Sequence, residues 1–204
     1  MEKYDLRDSY RDAVEPGEDC KKDPKTKCCP RFLLLPEKYT GVPTDPTGRF
    51  ARKYDVDPEE IFEDALAYAA LHRRDPLKLQ IFMLAPRPEK IGFKGWKYEG
   101  WLVDVKPPKR NEAGDCSDNG EEHGFMERPL SIGFFKDIGL TAPNGLGIFI
   151  NKFISKGSVR PYDSVAVTFE PPEKEKGKKH HDHHGHILVI PLTGKIPGKF
   201  KKEY

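Results

Sequence analysis

The sequence predicts an α+β domain: an antiparallel β sandwich or small barrel with one main packed helix and an irregular N-terminal arm. Three observations carry that expectation. Residues 57–74 place apolar side chains at helical spacing behind a capping signature. From residue 91 onward, short runs of β-branched and aromatic residues recur between Gly and Pro punctuation. Residues 1–47 hold six prolines among many charges and show no sustained period.

The arm comes first in the chain. Its one apolar run, residues 32–35, lies between Pro30 and Pro36. Flanking prolines block a long ladder, so the run reads as an edge strand or a docking segment. The arm is expected to wrap the domain.

The domain spans 48–194, helical over 48–85 and β-rich over 91–194. In the main helix Asp57 suits the cap, Pro58 the first helical position and Glu60 the third. Val56 and Ile61 form a hydrophobic staple pair. Ile61, Phe62, Ala65, Leu66 and Ala69 fall on one helical face, and Arg73 and Arg74 complement the C-terminal dipole. Residues 49–54, ahead of this helix, suggest a helix-turn-helix. Glu59, Glu60, Glu63 and Asp64 would then face phosphates, which excludes a DNA-reading helix and leaves a core-packing pair. Residues 77–85 alternate as a strand does at Leu77, Leu79, Ile81 and Met83, yet Asp75-Pro76 could equally open a short helix.

The β half is read as strands over 93–105, 130–135, 147–154, 164–169 and 186–191. Asn144-Gly145 marks a turn before the third of these. The segment 106–129 is a long charged loop, a length that usually signals function or disorder. Residues 195–204 form a basic tail.

Composition narrows the classes. The chain has 204 residues, 36% hydrophobic and 33% charged, enough for a core without disulfide staples. Its apolar runs are far too short for a membrane span, and its first residues show no apolar signal segment, so an intracellular protein is expected. A net charge of +2 does not by itself imply a nucleic-acid partner. One glutamine beside abundant Lys and Glu resembles the bias of heat-adapted proteins. No G-x-S-x-G elbow, Walker loop or dinucleotide fingerprint is present.

Two loops could hold metal. His180, His181, His183, His184 and His186 form a dense imidazole tract with affinity for Zn or Ni. Consecutive histidines suit weak chelation on a loop better than a rigid catalytic centre. The second loop carries Cys116 and His123. Asp115, Ser117, Asn119 and Gly120 open like a calcium loop, but Met126 stands where a bidentate glutamate is required. Cys20, Cys28 and Cys29 could join Cys116 in a zinc site, although C-x7-C-C is not a usual spacing.

Aromatics and lysines interleave at Trp96, Lys97, Tyr98 and Trp101, as on platforms that stack single-stranded nucleic acid. The competing reading makes these rings core. Lys178, Lys179, Lys201 and Lys202 belong to a late basic cluster suited to an acidic partner. The sequence therefore suggests a non-catalytic binding or assembly protein with a protein or nucleic-acid partner. The alternative is a metal-dependent hydrolase with His184, His186 and His123 as ligands and Glu121 or Glu122 as base.

Overall fold

The structure, a computed structural model, describes residues 31–72, 77–105, 126–156, 162–172 and 189–196. It is β-rich, with two antiparallel sheets and few helices. The first sheet has the order β1 (Arg31–Leu34), β2 (Leu66–His72), β3 (Lys78–Ala85), β7 (Gly147–Ile154), β6 (Lys136–Thr141). The second has the order β5 (Met126–Phe134), β4 (Lys97–Val105), β8 (Ser164–Glu170), β9 (Leu192–Lys195).

Three short helices lie between β1 and β2: α1 (Glu37–Thr40), α2 (Arg49–Tyr54) and α3 (Pro58–Phe62). The cap expected at Asp57 is present, its carboxylate accepting from the Glu59 N–H at 2.8 Å. The helix expected over 57–74 nevertheless ends at Phe62, and β2 begins at Leu66. Alanines at 65, 67, 69 and 70 favour a helix intrinsically. Pairing decides otherwise: β2 pairs with β3 along its whole length and with β1 over Ala67–Ala70, and this tertiary context overrides propensity. Ala67, Ala69 and Leu71 then face the core while Leu66, Tyr68 and Ala70 face outward.

The ambiguous stretch 77–85 is a strand, with Leu79, Ile81, Met83 and Ala85 buried in strict alternation. The strand expected over 186–191 is displaced. Residues 189–191 are outside any strand, and β9 follows at Leu192–Lys195. Lys195, assigned to the tail from sequence, ends that strand, and Ile196 after it is buried.

The core is a ring cluster. Phe169 stands 4.7 Å from Trp96, 5.2 Å from Tyr98 and 5.4 Å from Phe62, centroid to centroid. Phe50 of α2 adds contacts to Phe93 at 5.1 Å and Trp96 at 5.7 Å. These separations suit tilted and edge-to-face packing. The short helices therefore serve to deliver Phe50 and Phe62 into the space between the sheets.

The two sheets meet along two lines. On one side Leu35 and Thr193 exchange backbone hydrogen bonds of 2.8 and 3.0 Å, joining β1 to β9. On the other, β5 and β6 are separated by Phe135 alone, so one run of chain serves both sheets. The Phe135 N–H donates to Tyr98 O at 2.9 Å, and Asn151 Nδ2 donates to the carbonyls of Ile132, Gly133 and Phe134.

Candidate partner-binding face

The outward positions of the first sheet follow from its register. Leu33 opposes Tyr68, Tyr68 opposes Phe82, Phe82 opposes Ile150, and Ile150 opposes Lys136. A neighbouring row runs Leu66, Leu84, Ile148. On the other flank Arg31, Ala70, Gln80 and Lys152 align, then Lys78 opposite Ile154. Phe82 is 45% exposed and Ile154 60% exposed. Strands lie about 4.8 Å apart, so each row is a continuous band of side chains. The face is thus an apolar field bordered by cations.

The second sheet's outer face differs. Val103, Ala166 and Ile190 form a buried cluster there, with Trp101 packed against it. Ile190 reaches this cluster from a segment tied alongside β8 by Phe169 N to Val189 O at 2.9 Å and to Thr44 by Ile190 N to Thr44 O at 2.8 Å, while Val189 packs in the main core. Polar groups fill the next rows. Trp101 Nε1 donates to Thr168 Oγ1 at 2.9 Å, and Ser131 Oγ donates to Glu99 Oε1 at 2.6 Å. Lys97 Nζ sits 5.3 Å from the ring centroid of Phe134, which is 50% exposed.

The interleaved strip divides by parity. Lys97 and Trp101 point outward. Trp96 and Tyr98 are buried in the ring cluster, so their faces are not offered to a base. Tyr98 OH donates to Pro86 O at 2.6 Å, and burial holds its phenol well above the usual range. His123, Cys116, His180, His181, His183, His184 and His186 lie outside the described residues, as do Lys178, Lys179, Lys201 and Lys202. Among the described residues no group of three or more His, Cys, Asp or Glu side chains could hold a metal ion. No described helix is long and apolar enough to cross a membrane.

Tyr68, Phe82, Ile150 and Ile154 were not singled out from sequence. The signal was present in 77–85: Lys78 and Gln80 set a polar parity that Phe82 breaks. On a sheet with only one face buried, that parity should stay polar.

No family model, no curated protein and no solved structure matches this chain.

Proposed function

We propose that this chain is a non-catalytic binding or assembly protein whose main contact surface is the outer face of the first sheet. The observation that carries this reading is the row Leu33–Tyr68–Phe82–Ile150, four apolar side chains in register on the sheet's outward parity, with Phe82 exposed and the other three half-buried. A contiguous apolar band that stays partly open to solvent marks an interaction site. The outer face of the second sheet sharpens the contrast, since there Val103 and Ala166 are fully buried together with Ile190.

A protein partner suits the face better than nucleic acid. Leu33, Leu66, Leu84, Ile148, Ile150 and Ile154 outnumber the two rings of Tyr68 and Phe82, and aliphatic groups give bases nothing to stack on. On the second sheet, Lys97 is flanked across the strands by Glu170 and along its own strand by Glu99, which weakens any phosphate track. The architecture supports a rigid platform: the two joined seams are the basis for reading the sheets as one small closed barrel.

The test is a photo-reactive residue placed at position 82 and, as control, at Glu89, which is exposed on the 3-10 turn Pro88–Ile91. A discrete adduct is expected at 82 and absent at 89 when the protein is irradiated in its native cells. Equal adducts at both positions, or none at 82, overturn the reading.

A further inference from the structure

We infer that the occupant of the first sheet's outer face is an acidic amphipathic protein segment, with apolar anchors over Tyr68 and Phe82 and carboxylates over Lys78 and Lys152. This rests on the binding-face reading above. Charge complementarity selects this occupant. Arg31, Lys78, Lys152 and Lys136 all stand on this face by register or exposure. No carboxylate occupies an outward position of β1, β2, β3 or β7 among the described residues. Asp137 lies on the neighbouring strand but is held by Arg87, with Nε–Oδ2 at 2.7 Å.

The same census disfavours a second copy. Two such faces packed against each other would bring cations to both sides and no carboxylate to either, and like charges across an interface are costly. Nucleic acid would satisfy the cations but leave the aliphatic rows against sugar and phosphate. A segment combining carboxylates with apolar side chains satisfies both parts. Its spacing follows from the strand. Phe82 and Lys78 are four residues apart on β3, about 13 Å at ~3.3 Å per residue. An extended partner strand would therefore carry a carboxylate about four residues from its apolar anchor.

Two fluorescent peptides test this on the full chain by anisotropy. One alternates leucine with serine, then glutamate with serine. The other has lysine in place of every glutamate. The glutamate peptide is expected to bind and to weaken as salt rises. The double variant Lys78→Glu, Lys152→Glu is expected to weaken it about tenfold. Phe82→Ser is expected to weaken both peptides. Because these three side chains are exposed or at the sheet surface, circular dichroism of the variants should match the parent. If the lysine peptide binds as tightly and Phe82→Ser weakens both equally, the acidic partner is overturned while the binding face stands. If Phe82→Ser changes nothing, both fall. Tighter binding of an oligothymidine that competes at this face would replace the protein segment by nucleic acid. Carbodiimide coupling gives two further overturning results. Links from residues 1–30 to Lys78 or Lys152 within a monomer would make the occupant the chain's own arm, and links between copies would make it a second molecule.

Discussion

At the scale of single residues, the fold depends on groups whose role is invisible without the register. Gly194 is one. A Cβ there would stand 2.3 Å from the Leu33 carbonyl oxygen, a backbone atom that cannot swing aside. Gly194→Ala should therefore push β9 from β1 and lower stability by about 1–3 kcal/mol in urea titration, the usual cost of forced overpacking. Asn151 is another. It is 4% exposed, its Nδ2 shared among three carbonyls and its Oδ1 without a hydrogen-bond partner among the described residues. Asn151→Asp would aim a carboxylate at those carbonyl oxygens. Burial and the facing oxygens would raise that acid's folded pKa, so the ionised form is penalised at neutral pH and the penalty fades as pH falls. A loss of about 3 kcal/mol or more is expected at pH 7, shrinking markedly at pH 4.5; a loss independent of pH would contradict the geometry. The aromatic strip shows what sequence could and could not tell. Residues 96 and 98 share one strand parity while 97 and 101 share the other, so a period of two already forbids all four from lining one face. Which pair faced the core was decided by the rings around Phe169, which are distant in sequence.

At the scale of elements, local signals survived where neighbours agreed with them. The Asp57 cap and the turn at Asn144-Gly145 form as read, because each rests on nearby chain, while the stretch 77–85, open between strand and helix from sequence, becomes a strand once β2 and β7 flank it. Beyond Phe62 the local signal fails, because β1 and β3 compete for β2 and no helix-period count contains them. Strand β6 was likewise unmarked, its residues almost all exposed and its ladder to β7 irregular. What holds it is Arg87. Its guanidinium donates to Asp137 Oδ2 at 2.7 Å, Thr141 Oγ1 at 2.7 Å and Leu140 O at 2.7 Å. The hydrogen bond from Arg87 keeps the Asp137 carboxyl below its ordinary range. A depressed carboxylate stabilises fully above the unfolded pKa of about 3.9 and loses that contribution as pH falls through its folded value. Asp137→Asn should thus lower Tm at pH 7, and the difference from the parent should shrink as pH falls below the unfolded carboxylate range. The opposite sign holds at α3. The charge of Glu37 raises the Glu59 pKa, with lesser contributions from burial, a hydrogen bond to Glu37 and Asp57. A raised acid favours folding while protonated and opposes it as pH rises through the folded value. Glu59→Gln should therefore raise Tm at pH 7 and matter less at acidic pH; a drop in Tm at pH 7 would refute the repulsion.

At the scale of the whole molecule, the question is whether two sheets behave as one body. Each sheet alone would bury one face and leave open edges. The Leu35–Thr193 bridge and the continuous β5–β6 chain remove that independence, and the Phe169 cluster draws rings from α2, α3 and β4 as well as β8. The class of fold was readable from sequence as β-rich with an antiparallel half, since alternation and turn residues are local. The seams were not, because they join residues more than 150 apart in one case and turn on a single residue, Phe135, in the other. If the seams couple the sheets, unfolding should be a single transition. Trp96 packs on Phe169 of the second sheet and Trp101 belongs to its strand β4, so tryptophan fluorescence reports that layer, while far-ultraviolet dichroism reports both. The two probes should give coincident urea curves, the signature of two-state behaviour. Phe169→Ala in one sheet and Met83→Ala in the other should shift both probes together, by about 3–5 and 2–5 kcal/mol respectively. Two separated transitions, with Met83→Ala moving only the dichroism curve, would mean that the first sheet opens by itself and that the seams do not couple the layers.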